Sequence, residues 1–254
     1  MRIYLSLSMG NLIIELDTDI FLWVNSWHSH FWDRFMWVTS GKMIWVPLYA
    51  SILYAIYLSY GLRTTLLMLL MTVLAVTAAD QLCATFIRPA FERMRPANLE
   101  NPISDLVHIV EGYRGGRYGF PSCHAANTFA LGSLMSLLFR RWQFTVFIFL
   151  WAVMVCYSRL YLGVHYPGDI LVGMTIGIIC GSVCYACAGI VLGLFVYSRP
   201  KRREARRLVA TYRRGAPLIH TDVCNRQIRW RPSYLPVSVC GLTVLSILLY
   251  AAAG

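Results

Sequence analysis

The chain has 254 residues, of which 57% are hydrophobic and only 14% charged, with a mean hydropathy of +0.55; soluble domains carry roughly 25% charge, so a water-soluble globular protein is excluded and one integral membrane domain over residues 1–254 is expected. The formal net charge of +11 does not point to nucleic acid. The basic residues cluster beside apolar runs, where anionic lipid headgroups are the natural partner.

Residues 1–18 are weakly patterned, and Glu15, Asp17 and Asp19 stand where a cleavable secretory signal would need an apolar core. From Asp19 to Ser40 aromatic residues (Phe21, Trp23, Trp27, Phe31, Trp32, Phe35, Trp37) alternate with polar ones. Tryptophan collects at the membrane–water boundary, so this stretch predicts an amphipathic helix lying in the interface, broken near His28–His30. A short spanning segment is the other reading. Met43 to Tyr60 is the first span, close to the ~20 residues that cross the hydrocarbon. Gly61-Leu62-Arg63 is a tight turn, and Leu66 to Ile87 is the second span. Asp80 and Gln81 fall in its last third, and a buried carboxylate there needs a partner. An arginine of the next loop is the expected partner, ahead of a direct catalytic role.

Arg88 to Pro121 is a long polar connection containing Arg88, Arg93, Arg95, Arg114 and Arg117, with turn signals at Gly115-Gly116 and Tyr118-Gly119. Its length suggests a lid or binding loop. Ser122–Phe139 and Trp142–Tyr157, joined by Arg140-Arg141, are the third and fourth spans. Asp169–Tyr197 is the fifth, long enough to tilt. Of the eight cysteines, Cys180, Cys184 and Cys187 read as small packing residues in that span, since no histidine or carboxylate joins them in a metal pattern. A basic segment follows from Arg199 to Arg231, and Leu235–Ala253 is a terminal sixth span. The fold class is all-α: a polytopic membrane helix bundle of about six transmembrane helices with an N-terminal amphipathic interfacial helix. It divides into a core (19–197), a basic cytoplasmic segment (198–234) and a terminal helix (235–253). If the spans alternate, Arg63, Arg140-Arg141 and the 199–231 cluster share one side, which the positive-inside rule makes cytoplasmic. The 88–121 loop and the stretch from Ser158 to Asp169 then share the periplasmic or external side of the inner (plasma) membrane.

Three stretches carry chemistry. Arg88 and Arg95 leave the second span with six residues between them, and guanidinium groups grip phosphate oxygens at any working pH; interfacial snorkelling is the plainer reading of either alone. Pro121-Ser122-Cys123-His124 opens the third span, where a helix N-terminus favours an anion, Ser122 can donate its hydroxyl to a phosphate oxygen, and His124 can pass a proton. Alternatively Ser122 is an ordinary helix cap. In Ser158 to Asp169, Pro167 suits a first helical turn, which places His165 just outside a helix and Asp169 inside its first turn, where the carboxylate could hold one ring nitrogen of His165. Together these residues fit phosphoryl transfer through a histidine. No carboxylate cluster for two metals, no nucleophile elbow and no glycine-rich phosphate loop is present.

The order and spacing of these stretches resemble the type 2 phosphatidic acid phosphatase superfamily of membrane lipid phosphatases. The matching positions are Arg88 with Arg95-Pro96, then Pro121-Ser122-Cys123-His124, then Ser158-Arg159 with His165 and Asp169. The resemblance covers roughly residues 19 to 197. It implies that His165 is the nucleophile, oriented by Asp169, and that His124 is the general acid. It further implies that Arg88, Arg95, Ser122, Cys123 and Arg159 bind the substrate phosphate, without metal or other cofactor. Two positions depart from the pattern. Arg88 stands for the usual lysine, and Cys123 for the usual glycine, where a positive φ would strain it. The expected substrate is a membrane lipid phosphate or diphosphate, with undecaprenyl diphosphate first and phosphatidylglycerophosphate or the lipid A phosphates as alternatives. A homologue that only binds or transports lipid phosphates is the reading from another class.

Overall fold

The structure, a computed structural model, describes residues 2–192 and 234–253; the basic segment and the end of the expected fifth span lie outside the described residues. The described chain is an all-α membrane helix bundle. Its helices are α1 (Arg2–Ser26), α2 (His30–Ser40), α3 (Val46–Gln81), α4 (Arg88–Phe91), α5 (Cys123–Phe139), α6 (Trp142–Tyr161), α7 (Pro167–Val191) and α8 (Tyr234–Ala252).

Among the described residues, four stretches are long and apolar enough to cross a membrane (Met43–Phe91, Trp142–Tyr161, Pro167–Val191 and Tyr234–Ala252), and the shorter apolar α5 has 17 residues. The first is a hairpin, not a rod. Gly61 sits at φ 78°, ψ 174°, a conformation open to a residue without Cβ, and the chain reverses there. Lys42 before the turn and Arg88 after it line one cavity, whereas Tyr60 at the turn donates to the Leu138 carbonyl, 3.1 Å away near the other end of α5. The expected turn and the spans flanking it are therefore present.

The closest helix pair is α5 with α7. Gly173, Gly177 and Gly181 recur every fourth residue, on one face of α7. A Cβ on them would stand 2.5, 2.3 and 2.4 Å from the carbonyl oxygens of Ser122, Ala126 and Ala130. With no room for side chains, the two backbones touch, as small-residue stripes allow in membranes. Cys180 and Cys184 pack beside this seam, as the sequence suggests, but Cys187 faces outward. The larger core lies between α3, α5 and α6, where Trp45, Leu48, Leu134, Leu138, Phe144 and Ile148 are buried.

The aromatic N-terminal region folds as two helices broken at 27–29, with Ser29 capping α2 by accepting from the Trp32 N–H (3.4 Å). The helical part begins at Arg2 rather than near Asp19, so the weakly patterned residues belong to α1. Ile13, Ile20 and Trp23 on α1, and Trp27 just after it, are exposed apolar side chains. α1 crosses the α6–α7 connection: Phe21 is buried against Tyr166, and Asn25 donates to the Tyr161 carbonyl (2.8 Å). α8 packs on α2 and α3, burying Cys240, Thr243 and Ile247.

Candidate active site

The second leg of α3 passes through a π turn over Leu82–Ile87 into α4, which delivers Arg88 to the end of the bundle. One Arg88 Nη donates to the Pro121 carbonyl and lies 3.1 Å from Cys123 Sγ, fixing the guanidinium against the start of α5. Arg95 follows in the loop. It is buried and held by the Tyr118 and Val164 carbonyls at 3.1 and 3.0 Å. Arg159, near the end of α6, is equally buried and donates to Ser40 Oγ at the end of α2.

At the start of α7, Pro167 occupies the first turn and Asp169 is its third residue. The fully buried Asp169 carboxylate accepts from the Tyr166 N–H (3.0 Å) and faces His165 Nδ1 at 3.4 Å through the same oxygen. On the other side of the ring, Arg95 Nη1 lies 3.1 Å from His165 Nε2. An arginine can only donate, so Nε2 carries the lone pair and Nδ1 carries the proton toward Asp169. Burial, reinforced by Arg95, Arg159 and Arg88, holds the His165 imidazole well below its usual pKa and so neutral. Burial, then Arg88 and Arg159, also lowers Arg95, to about 10, which leaves it charged at neutral pH. Gly119 closes over the pair: a Cβ there would stand 3.0 Å from Arg95 Cγ and 3.2 Å from Asp169 Oδ2.

These groups surround a cavity of about 240 Å³ lined by Arg88, Arg95, Cys123, His124, Arg159 and His165. Two of the eight expected site residues do not line it. Ser122 is fully buried; its hydroxyl caps α5 by accepting from the Ala125 N–H (3.5 Å), the cap reading of the sequence. Asp169 sits behind His165. Asp80 reaches the cavity, but Asn127 donates to it at 3.0 Å in place of the expected loop arginine, because Arg88 is turned to Pro121 and Cys123. Cys123 opens α5, and among the described residues the non-glycine positions with positive φ are Glu92, Glu111 and Arg140, so the feared strain at Cys123 does not arise. Sequence reasoning missed Lys42, Tyr113 and Asn127 on the cavity wall. They belong to no shared motif, and only the fold brings them there. Lys42, His124 and Asn127 also line a second, almost wholly apolar cavity of about 310 Å³, bounded by Trp45, Ile52, Leu69 and Leu131 between α3, α5 and α6.

Residues 69–205, more than half of the chain and inclusive of all three motif stretches, match the profile of the PAP2 superfamily. The chain belongs to the PAP2 superfamily. It is 48% identical over 180 residues to the lipid A 4'-phosphatase of Bacteroides thetaiotaomicron, covering 71% of this chain and 80% of that one. It is 35% identical over 173 residues to the lipid A 4'-phosphatase of Porphyromonas gingivalis, covering 68% of this chain and 73% of that one. The crystal structure of Aquifex aeolicus LpxE shares the fold, with a TM-score of 0.51 at 24% identity over 67% of this chain and 95% of that chain. The PAP2 chain is thus a membrane lipid phosphatase, a phosphoric ester hydrolase embedded in the bilayer.

Proposed function

We propose that this PAP2 enzyme removes the 4'-phosphate of lipid A through a phosphohistidine on His165. The substrate reading rests on the two lipid A 4'-phosphatases, which align with most of their length; undecaprenyl diphosphate, the first expectation from the sequence, gives way to it, since the motifs hold only the phosphoryl group and do not separate the two. The mechanism rests on one observation above all: His165, whose Nε2 lies 3.1 Å from the donor-only Arg95 guanidinium, lines a cavity walled by Arg88, Arg95 and Arg159.

In the proposed reaction, the three guanidinium groups hold the non-bridging phosphoryl oxygens and offset the charge that develops on them. His165 Nε2 attacks phosphorus, and Asp169 stabilises the proton on Nδ1 as the ring gains charge. The P–O bond to the lipid breaks, and His124 gives its proton to the departing alkoxide. Water then attacks the phosphohistidine, returning a proton to His124; the P–N bond breaks and inorganic phosphate leaves. Ser122 supports the start of α5, and Cys123 fixes Arg88. Among the described residues no three His, Cys, Asp or Glu side chains gather as metal ligands, and the scheme uses only protein groups. The apolar cavity beside His124 is suited to the first part of an acyl chain. The site faces away from the cytoplasm: Arg63 and Arg140-Arg141 stand at the end of the bundle remote from the cavity, where the positive-inside rule expects the cytoplasm. The basic segment, outside the described residues, carries charge suited to anionic lipid headgroups.

The test is phosphate release by the purified enzyme, with EDTA present, from lipid A, undecaprenyl diphosphate and phosphatidylglycerophosphate. Release from the 4' position at the highest kcat/KM supports the reading. Preference for the diphosphate refutes the substrate, dependence on added magnesium refutes the mechanism, and inactivity on all three favours a binding homologue.

A further inference from the structure

The His165–Asp169 pair is not self-supporting. Asp169 has a second oxygen, Oδ1, and Arg93 Nη1 donates to it at 3.0 Å. The other Arg93 nitrogen, Nη2, lies 2.6 Å from Asp17 Oδ2 on α1. Asp17 Oδ1 in turn accepts from the Gly168 N–H at 2.7 Å, at the first turn of α7 and one residue before Asp169. The Arg93 guanidinium lies over the Tyr166 ring, 3.9 Å from its centroid, and the Tyr166 hydroxyl accepts from Asn101 at 3.0 Å. The main chain of Arg93 is also engaged: its carbonyl accepts from the Gly119 N–H (2.9 Å), the residue that closes over His165 and Asp169.

A fully buried carboxylate without a paired cation is costly, and it holds its neighbour's proton in place only while it stays ionised. Arg93 is the cation that touches Asp169 directly, and its planar fork is shared between two carboxylates, which a point charge could not satisfy in the same geometry. Neither Arg93 nor Asp17 faces the cavity. Asp17 lies outside the residues that match the PAP2 profile, and Arg93 lies between the arginines assigned to phosphate.

We infer that Arg93 and Asp17 are positioning residues: Asp17 on α1 fixes Arg93, Arg93 fixes the Asp169 carboxylate, and through it the Nε2 of His165 is aimed at the phosphoryl group. This rests on the proposed role of His165. It gives the N-terminal helix a part in the rate of the reaction.

The test compares full-length Arg93→Gln, Arg93→Lys, Asp17→Asn and the Arg93→Gln/Asp17→Asn double variant with Asp169→Asn. Steady-state release of phosphate from lipid A is measured in detergent at saturating and limiting substrate. Loss of an outer partner of an oriented imidazole is expected to lower the rate about 10- to 100-fold. Arg93→Gln should show that loss in kcat with KM within about threefold, because the groups that hold the phosphate are untouched. Arg93→Lys should recover part of the rate, since it restores the charge but not the fork. Asp17→Asn keeps an acceptor for Gly168 and should lose less. In the Arg93→Gln background, Asp17→Asn should add no further loss. Additive losses, or a rise in KM without a fall in kcat, overturn the inference. Full kcat in Arg93→Gln beside a defective Asp169→Asn overturns it alone; full kcat in Asp169→Asn overturns both it and the His165–Asp169 mechanism. Should Arg93→Gln not fold, Arg93→Lys and Asp17→Asn decide by the same kcat criterion.

Discussion

His165 has its proton placed by two neighbours of opposite kind. Asp169 accepts at Nδ1, and Arg95, which has nothing to accept with, donates at Nε2. Burial and three arginines keep the ring neutral below the usual histidine range. Since the neutral form is favoured, acid should not protonate it as pH falls through ~6.5, the ordinary value. In ¹⁵N NMR of the detergent-solubilised enzyme at pH 6, His165 should show the Nδ1–H tautomer; an imidazolium or an Nε2–H signal contradicts this. Cys123 carries a second residue-level expectation. From the sequence, Cys123→Gly relieves strain and preserves or raises activity. In the structure Cys123 is an unstrained helical residue touching Arg88. Glycine at this first helical position should lower stability by no more than the about 0.5–1 kcal/mol of a mid-helix glycine and leave kcat/KM unimproved. A clear gain in kcat/KM beside unchanged thermal stability counts against this account.

At the scale of elements, the site is the meeting of two helix N-termini, α5 with His124 and α7 with Asp169. Their spacing is set by the glycine stripe and by the bond from the Ser122 N–H to the Asp169 carbonyl (2.9 Å). A side chain at the middle glycine has no small adjustment available, because the obstacle is backbone. Gly177→Leu should therefore destabilise the enzyme by about 1–3 kcal/mol or more, seen as a lowered thermal midpoint in detergent, and should reduce activity with it; an unchanged midpoint contradicts the packing described. The spans, the turn at Gly61 and the helix break before α2 were legible because each follows from local apolar length or turn chemistry. The arginines that line the cavity and both histidines were legible as candidates because their spacing is itself a pattern. What escaped depends on distant partners. Asp17 meets Gly168 across 151 positions, nothing near Asp80 in sequence points to Asn127, and the value of the α7 glycines depends on which helix lies opposite them.

For the whole molecule, the cavity, α1 and the 88–121 loop share one end of the bundle, while Arg63 and Arg140-Arg141 mark the other. In intact cells, with native cysteines replaced, an impermeant thiol reagent should label Gly116→Cys on the site-side loop and spare Trp142→Cys at the opposite end. The reverse pattern refutes the proposed sidedness. The same arrangement puts a neutral, oriented imidazole on the wall of a cationic cavity that shares Lys42, His124 and Asn127 with an apolar one, an arrangement suited to the proposed phosphoryl transfer from a lipid. The most direct measurement is rapid quenching of the enzyme with ³²P-labelled lipid A, followed by mapping of the labelled residue. The account predicts an acid-labile, base-stable phosphohistidine at His165, absent from His165→Ala, which should also show no turnover. Label on His124, or turnover that survives His165→Ala, would contradict it.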